Sequence, residues 1–461
     1  MTVTNVSVIG LDGASPFLVN QWIDDLPTFQ QFRDTGLWGH SIPPLPAQTP
    51  VAWTTFMTGK NPGKHGIFSF IQRQMGSYQR QIASPSAIKS DTLWQILSAH
   101  GKRVGVLNVP MSSYQDINGF MIPGFLDPHE GVPQPASLRK DIARHFQKHT
   151  IPGDLETEVL AQARSNPTLL LDRINEITDL NAEISLHLLE HEFWDFFMTV
   201  FMGTDRIGHF FWKYADPSHP MFQKHDFSTR VKQYYTRIDS ILHRFIESVP
   251  PHTLIILVSD HGFCPVSREV FLNNYLQQLG YLRVTKDKID VAASHAIAYG
   301  YGDIWLNVAG REPSGKVRQG TEYNHYRNQV IQFLEAIQIE DQKPIQKVVK
   351  REEIYWGPYV HEAADLIAIF HHQWQAARRP EIALNMSTGG YYNPNPLWSG
   401  GHDGTHMPKD VPGILGFLGP NLDTQQPFNQ AYLRDLAPTI LTLLGVPIPQ
   451  DMDGTALVLM K

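Results

Sequence analysis

Short apolar runs recur along the chain, and each of them ends in a polar or glycine-rich turn. The runs are Val3–Leu11, Val104–Val109, Phe196–Met202, Leu254–Val258 and Ile414–Leu418. Their hydrophobicity is continuous rather than alternating, which is typical of strands that are buried on both faces. The pattern therefore predicts a central sheet covered on both sides.

Amphipathic stretches such as Asp91–His100 and Phe227–Ser248 lie between these runs. Alternating strands and helices predict an α/β fold in which helices sandwich a central, mostly parallel sheet. In such sheets the ligand site lies beyond the carboxyl ends of the strands. Three of the runs are followed at that point by an acidic residue, namely Asp12, Asp205 or Asp260. We therefore expect these carboxylates to lie at one site.

Two long segments interrupt the alternation of strands and helices. Residues 110–192 are rich in proline, histidine and charge and have helical patterning, and residues 263–399 carry their own short strands and a helix. We interpret the first as a helical insertion and the second as a cap or lid at the catalytic end of the sheet. The predicted α/β core then consists of residues 1–109, 193–262 and 400–461.

Composition narrows the function classes. The formal net charge of −7 argues against binding of a nucleic-acid polymer by bulk attraction. Cys264 is the one cysteine of the chain, so no intrachain disulfide can form. The first residues lack the basic region of a signal peptide, and the most apolar stretch, Phe193 to Met202, contains Asp195 and is too short to span a bilayer. We expect a cytoplasmic enzyme without membrane contact.

Carboxylates and imidazoles occur in pairs whose spacing suits metal binding. Asp260 and His261 are adjacent after an apolar run, and Asp205 and His209 are four residues apart, which places both on one side of a helical turn. Each pair alone also fits a turn or helix cap beside an unrelated histidine. In Gly401-His402-Asp403-Gly404-Thr405-His406, either histidine is a candidate ligand.

Thr49 precedes Pro50 and an apolar helical stretch, which predicts a helix N-cap at Thr49 with the proline at the first helical position. A helix N-terminus directs free N–H groups and a positive dipole end at an anion. A metal bound to a hydroxyl lowers its pKa and makes an alkoxide available near neutral pH. Thr49 is therefore the candidate nucleophile.

Taken together, these blocks resemble the alkaline phosphatase superfamily, specifically its type I phosphodiesterase/nucleotide pyrophosphatase branch. The matching blocks follow the order of the family and span Val6 to Gly454. They are the strand with Asp12, Thr49 with Thr58-Gly59, Pro62-Gly63-Lys64-His65-Gly66-Ile67, Asp205-x-x-Gly208-His209, Ser259-Asp260-His261-Gly262, Gly404-Thr405-His406 and Asp435-Leu436-Ala437-Pro438-Thr439. The chain looks most similar to a little-characterised group of predicted phosphohydrolases or phosphomutases that share Gly310-Arg311-Glu312-Pro313 and Met452-Asp453-Gly454.

The resemblance implies two divalent ions, zinc or manganese, and a small phosphorylated substrate. It assigns Asp205, His209 and His406 to one metal, with His406 preferred to His402 because the histidine of the family follows Gly-Thr or a similar pair. The other metal takes Asp12, Thr49, Asp260 and His261. The implied mechanism is in-line attack of Thr49 on phosphorus, followed by hydrolysis of the threonine ester.

One departure from the family concerns the oxyanion donor. Nucleotide pyrophosphatases usually place an asparagine a few residues after His-Gly-Ile, whereas Ile67-Phe68-Ser69-Phe70 offers none. The remaining candidate donors are Lys60, Lys64, Arg73 and Asn108. A diesterase or pyrophosphatase, a phosphomonoesterase or phosphomutase closed by the cap, and a non-catalytic binding protein of the same fold are therefore the hypotheses.

Overall fold

The computed structural model describes residues 3–286, 288–378, 391–403 and 405–461. Its strands follow one another along the chain as β1 (Asn5–Leu11), β2 (Leu37–Ile42), β3 (Ile71–Arg73), β4 (Arg80–Ile82), β5 (Val104–Leu107), β6 (Gly119–Ile122), β7 (Phe196–Phe201), β8 (Thr253–Val258), β9 (Cys264–Val270), β10 (Val284–Thr285), β11 (Lys288–Ile289), β12 (Ala296–Gly300), β13 (Asp303–Leu306), β14 (Ile345–Lys350), β15 (Leu366–Phe370), β16 (Gln373–Ala376), β17 (Tyr392–Asn393), β18 (Gly400–Gly401), β19 (Gly413–Leu418) and β20 (Gln430–Tyr432).

The helices follow in the same way as α1 (Pro16–Gln21), α2 (Pro27–Thr35), α3 (Thr49–Thr58), α4 (Pro62–His65), α5 (Leu93–Ala99), α6 (Ala136–Phe146), α7 (Thr157–Ala161), α8 (Pro167–His191), α9 (Gly203–Ala215), α10 (Asp226–Ser248), α11 (Leu272–Gln278), α12 (Thr321–Glu335), α13 (Arg351–Ile354) and α14 (Leu436–Leu443). Short 3₁₀ turns lie at Ile23–Asp25, Pro85–Ala87, Val360–Glu362, Pro408–Asp410 and Leu433–Asp435. Within the described residues, every helix is too short or too polar to cross a bilayer.

An eight-stranded sheet in the order β20-β2-β19-β8-β1-β7-β5-β6 forms the centre of the fold. The pairs β8–β1, β1–β7, β7–β5, β5–β6 and β2–β20 are parallel. Strand β19 runs antiparallel to both β2 and β8. All five apolar runs are strands of this sheet, which confirms the predicted mostly parallel α/β fold.

The sheet separates two apolar cores, because successive side chains of a strand point to opposite faces. In β1, Val6 and Val8 pack on the face covered by α3, α5 and α14, whereas Ile9 and Leu11 pack on the face covered by α2, α8, α9 and α10. Both faces of the central strands are therefore dry. This burial explains why their sequences are continuously apolar.

The segment 110–192 is mostly helical, as the sequence indicates, but it also contributes a strand to the central sheet. Strand β6 pairs with β5 in parallel register, with Val104 opposite Gly119. The chain then continues through α6, α7 and the long α8, whose apolar face joins the core. The sheet thus extends beyond the proposed core boundary at residue 109.

Residues 263–399 build a separate antiparallel sheet in the order β12-β13-β15-β14, with α11 and α12 packed in its own apolar core. Strand β9, which follows β8 in the chain, pairs with β16, β17 and β18 in a further small sheet. The short β18 lies directly before His402. These residues thus have a sheet and an apolar core of their own, and their role as a cap or lid stays a prediction.

Candidate metal centre and nucleophile

Three neighbouring strands bring acidic side chains to one edge of the central sheet. Asp12 follows β1, Asp260 follows β8, and Asp205 lies in the first turn of α9 directly after β7. Because β8, β1 and β7 are adjacent and parallel, their carboxyl ends meet. All three carboxylates are buried.

His261 lies beside two of these carboxylates. Its Nε2 is 3.1 Å from Asp260 Oδ2 and 3.7 Å from Asp12 Oδ1. One potential ligand atom from each of Asp12, Asp260 and His261 lies within 4.8 Å of the other two. These three side chains form the first half of the site.

The second half consists of Asp205, His209 and His402. Asp205 Oδ1 is 3.4 Å from His209 Nε2 and 3.2 Å from His402 Nε2. The two imidazole nitrogens are themselves 3.2 Å apart. His261 also groups with Asp205 and His402, and Asp403 groups with His209 and His402, so the two halves are contiguous.

The three imidazoles share one mode of anchoring. The Nδ1 atoms of His261, His209 and His402 lie 3.2, 3.2 and 2.6 Å from the backbone carbonyl oxygens of Gly262, Gly400 and Ala47, respectively. A hydrogen bond from Nδ1–H to a carbonyl fixes the tautomer and leaves Nε2 as the metal-binding atom. In each case Nε2 faces the carboxylates.

His406 has the opposite orientation. Its Nε2 is hydrogen-bonded to the Trp374 carbonyl oxygen at 2.9 Å, and it belongs to none of the ligand groups formed by the described residues. The structure therefore places His402, and not His406, at the position that the sequence analysis assigned to His406. The assignment of His406 rested on the Gly-Thr spacing, which carries no information about which carbonyl holds each ring, and which of the two histidines binds a metal stays a prediction.

Thr49 lies beside the first half of the site. Its Oγ1 is 3.4 Å from His261 Nε2. Helix α3 begins at Thr49 rather than after it, because the Gln48 carbonyl accepts the Ala52 N–H at 2.8 Å and Gln48 is the N-cap. The predicted cap position of Thr49 is thus wrong by one residue. As the first helical residue, Thr49 directs its hydroxyl to the cluster instead of capping the helix.

Burial and missing partners make this cluster suitable for cations. Within the described part of the chain, Asp12 Oδ1, Asp205 Oδ1 and Asp260 Oδ2 are buried and lack a partner with hydrogen-bond geometry. A buried carboxylate oxygen without a partner is costly unless a cation balances it. Three such oxygens facing three Nε2 atoms and a hydroxyl fit divalent metal ions that accept both nitrogen and oxygen ligands.

The protonation equilibria follow from the same crowding. Burial raises the pKa of Asp12 and of Asp260, and the adjacent carboxylates add to this effect. Burial lowers the pKa of His209 and of His261, which keeps both rings in the neutral, metal-binding form. Burial also opposes the charge on His402, but the adjacent carboxylates of Asp205 and Asp403 outweigh it and raise the pKa.

Side chains around the cluster hold its carboxylates in place. Trp53 Nε1 donates to Asp12 Oδ2 at 2.7 Å, and Gly13 N donates to Asp260 Oδ1 at 3.1 Å. Gly13 itself has φ of +67°, and a Cβ there would lie 2.9 Å from the Asp205 Cα, so the turn after Asp12 requires glycine. Sequence reasoning missed Trp53, although it follows Thr49 by one helical turn.

Arg206 links the site to the helical insertion. Its guanidinium is 3.1 Å from Asp205 Oδ2 and forms a two-pronged ion pair with Asp154, in which Nε donates to Oδ1 at 2.8 Å. The side chains of Arg206 and Asp154 are 12% and 5% exposed. Arg206 directly follows a predicted ligand, which was a signal in the sequence; nothing near Asp154 indicated this role.

The four candidate oxyanion donors are not equivalent. Lys60 pairs with Asp451 and Lys64 with Asp453, so both bind the C-terminal tail. Arg73 donates to Glu312 and to the Ser77 carbonyl. Asn108 is buried at the carboxyl end of β5, and its Oδ1 has no hydrogen-bond partner among the described residues.

The fold is similar to that of solved nucleotide-processing proteins. One is an inactive variant of the murine ectonucleotide pyrophosphatase/phosphodiesterase 5 in complex with AMP, at a TM-score of 0.59 and 14% identity, covering 97% of this chain and 96% of that one. A second structure of the same murine protein has a TM-score of 0.58 and 15% identity, and the match covers 96% of both chains. The human ectonucleotide pyrophosphatase/phosphodiesterase 5 has a TM-score of 0.58 and 14% identity, and the match covers 98% of this chain and 97% of that one. At this identity the likeness shows the fold.

The family comparison is more specific. No match was found among curated protein sequences. The model of the family described as type I phosphodiesterase/nucleotide pyrophosphatase matches residues 6–405, which include Asp12, Thr49, Asp260 and His402. The chain therefore belongs to the type I phosphodiesterase/nucleotide pyrophosphatase family of the alkaline phosphatase superfamily.

Proposed function

We propose that the chain is a phosphoric-ester hydrolase that uses two divalent ions, with Thr49 as its nucleophile. The observation that carries the proposal is the convergence of three buried, unpartnered carboxylate oxygens with three Nε2 atoms and the Thr49 hydroxyl. An apolar or hydrogen-bonded arrangement would not leave such groups facing one another, because their desolvation would be uncompensated. The family description agrees with this chemistry.

The side chains divide into two ligand sets. Asp205, His209 and His402 would hold one ion, and Asp12, Thr49, Asp260 and His261 would hold the other. Imidazole and carboxylate ligands suit zinc, and manganese accepts the same donors. Bound divalent ions would lower the pKa of the Thr49 hydroxyl and neutralise charge on the phosphoryl oxygens.

Thr49 then acts through covalent catalysis. Its Oγ1 attacks phosphorus, a Thr49 phosphoester forms, and the bond from phosphorus to the leaving oxygen breaks. Attack of water on the same phosphorus cleaves the threonine ester and regenerates the hydroxyl. The position at the start of α3 supports this role, since first-turn N–H groups favour negative charge nearby.

We propose phosphodiesters, including nucleotide diesters, as the substrate class. The family description supports this class, whereas the absence of an asparagine in Ile67-Phe68-Ser69-Phe70 weakens the match to nucleotide pyrophosphatases. Asn108 is our candidate for the missing oxyanion donor, because it is buried at the carboxyl end of β5, next to the strand that precedes Asp205. Lys60 and Lys64 are poor candidates because the tail already binds them.

The test compares Thr49→Ala and Thr49→Ser with the unmodified enzyme, each assayed with bis-p-nitrophenyl phosphate and p-nitrophenyl phosphate after metal loading. We expect Thr49→Ala to lose at least about three orders of magnitude in kcat while metal content persists, and Thr49→Ser to retain measurable activity. Activity in Thr49→Ala equal to that of the unmodified enzyme would exclude the nucleophile. Faster turnover of the monoester would replace the diesterase with a phosphomonoesterase, and no turnover of either ester in any form would favour a binding protein.

A further inference from the structure

A second group of metal-ligating side chains lies on the helical segment, and it shares no residue with the Thr49 site. It consists of Asp141 and His145 on α6 and His187 on α8. One potential ligand atom from each lies within 4.8 Å of the other two. Neither the family description nor the proposed hydrolase chemistry uses these residues.

The arrangement follows from helix geometry. Asp141 and His145 are four residues apart on α6, so they share one face of that helix. That face meets α8, and His187 Nε2 lies 2.8 Å from Asp141 Oδ2 while His145 Nδ1 lies 3.2 Å from Asp141 Oδ1. Neighbouring ligand atoms of a tetrahedral zinc site with bonds of 2.0–2.1 Å are roughly 3.3 Å apart. The two spacings refer to different oxygens of Asp141, and His145 Nδ1 also contacts the Asp141 carbonyl oxygen at 3.1 Å, so a bound ion would replace these hydrogen bonds.

The histidines crowd a single carboxylate. The rings of His145 and His187 are 4.7 Å apart at their centroids, and His191 stacks on His187 at 4.5 Å. Three imidazole rings are thus gathered beside the one carboxylate of Asp141.

The group is also open to solvent. The side chains of His145, Asp141 and His187 are 46%, 36% and 15% exposed. An ion can therefore enter without opening the protein, and water can complete its coordination. Two imidazoles and one carboxylate are typical ligands of zinc and other divalent ions of intermediate hardness.

We propose that Asp141, His145 and His187 form a surface site for Zn²⁺ that cross-links α6 to α8. Binding there would tie α6 to the C-terminal part of α8 without contacting the phosphoester. The site adds one ion to the two of the Thr49 site. It would stabilise the folded chain, since an ion that binds only the folded state shifts the unfolding equilibrium by mass action.

The experiment measures Zn²⁺ bound per full-length chain by equilibrium dialysis and elemental analysis. It compares the unmodified protein with Asp141→Asn, His145→Gln and His187→Gln. The matched control is His100→Gln, because His100 is exposed and bonds its own helix at Ile96 O (2.8 Å), as His145 bonds Asp141 O (3.1 Å). We expect each of the three variants to lose one equivalent, or to bind it at least about tenfold more weakly, while His100→Gln keeps it.

A measurement on the unmodified protein guards against variants that fail to fold. Zn²⁺ should protect His145 and His187 from diethylpyrocarbonate, as read by mass spectrometry, and should leave the modification of His100 unchanged. Equal Zn²⁺ stoichiometry in the unmodified protein and in the folded variants would overturn the proposal. Equal modification of His145 with and without Zn²⁺ would overturn it as well. A variant that loses ions from the Thr49 site should also lose ester hydrolysis, whereas a variant that loses only the ion at Asp141, His145 and His187 should keep it.

Discussion

The imidazole rings of His261 and His402 stack face to face, with centroids 3.5 Å apart and an interplanar angle of 16°. His261 follows strand β8, and His402 follows the short strand β18 that pairs with β9. The stack therefore joins the two halves of the candidate metal centre, because His261 belongs to the first half and His402 to the second.

Substituting His402 and His406 separately distinguishes their roles. We expect His402→Gln to lose bound metal and to lower kcat/KM by about two orders of magnitude or more, because second-shell changes alone cost 10–100-fold. His406→Gln should keep the metal, since glutamine can still donate to the Trp374 carbonyl. Elemental analysis and ester hydrolysis of both variants provide the check. The reverse pattern would restore His406 as the ligand.

The Asp154–Arg206 pair provides a second prediction. In Asp154→Asn, Arg206 loses its two-pronged ionic partner and keeps its contact with Asp205, so we expect it to compete with a bound metal for that carboxylate. We expect metal affinity to fall about tenfold and stability to fall by about 3 kcal/mol. Competition titration with a zinc chelator and urea unfolding measure these two effects.

Asp172→Asn is the matched control for that variant. Asp172 also joins the helical segment to an arginine, Arg230 on α10, but its side chain is 54% exposed. An exposed pair contributes at most about 1 kcal/mol, and this one lies outside the metal centre. Equal metal affinities in Asp154→Asn and Asp172→Asn would contradict the link between the insertion and the site.

The buried ring of His65 leads to a prediction of how the free energy of unfolding depends on pH. It is fully buried, with Nε2 3.0 Å from Thr55 Oγ1 and Nδ1 accepting the Ile67 N–H at 3.2 Å, and burial lowers its pKa to about 3. The unfolded chain binds a proton at this ring below its ordinary pKa of about 6.5, whereas the folded chain does not. Between those two values its contribution therefore falls as the pH falls, by up to about 1.4 kcal/mol per pH unit.

Urea unfolding at pH 7 and pH 5 tests this expectation. His65→Gln should be less stable at pH 7 because it loses a fitted ring, but its stability should decline less between the two pH values. His100→Gln, which changes an exposed ring, should follow the unmodified protein. Parallel declines in His65→Gln and the unmodified chain would show that His65 is not the source.

The last prediction concerns Asp453 of the Met452-Asp453-Gly454 block. Its carboxylate accepts from Asn61 N (2.8 Å), Lys64 Nζ (2.6 Å) and Trp356 Nε1 (2.9 Å). Burial raises its pKa, but these bonds outweigh burial and lower the pKa. Its stabilisation is therefore present at neutral pH and lost as the pH falls through the lowered pKa.

We expect Asp453→Asn to destabilise the protein by about 2–3 kcal/mol at pH 7, since bonds to a charged acceptor contribute about 1.5–3 kcal/mol. Chemical unfolding measures this difference. Metal content should not change, because Asp453 contacts none of the ligands. Asp423→Asn, at an exposed carboxylate that bonds only the local Gln425 N–H among the described groups, is the control. An unchanged free energy of unfolding in Asp453→Asn would show that these hydrogen bonds do not stabilise the protein.

Much of the fold was predictable because burial on both faces leaves a simple signature. Strands β1, β7 and β8 are mostly apolar and fully or almost fully buried, and the candidate ligands follow them. Strands β2 and β20 had no such signature, since β2 reads Leu-Trp-Gly-His-Ser-Ile and β20 has three residues with two exposed. Their place in the sheet is set by pairing with β19 and with each other, which is tertiary information.

The candidate site likewise contains residues that could be predicted from the sequence and one choice that could not. Asp12, Asp205, His209, Asp260 and His261 were predictable because they follow buried strands at metal-binding spacings. The choice between His402 and His406 was not, because two distant carbonyls, Ala47 O and Trp374 O, decide which nitrogen of each ring is free. Local sequence does not encode that contact.

The antiparallel strand β19 has a consequence for synthesis of the protein. It lies between β2 and β8 in the sheet, although it follows β8 by more than 150 residues in the chain. His402 is translated 390 residues after Asp12, which at ribosomal rates takes roughly 20 to 80 s. Until β19 has been made, β2 and β8 each lack its pairing at one edge, and until residue 402 has been made the candidate ligand set lacks its third imidazole. If the metals bind as proposed, full metal loading has to await residue 402, and a chain that stops before that residue would lack β19 and leave these strand edges unpaired.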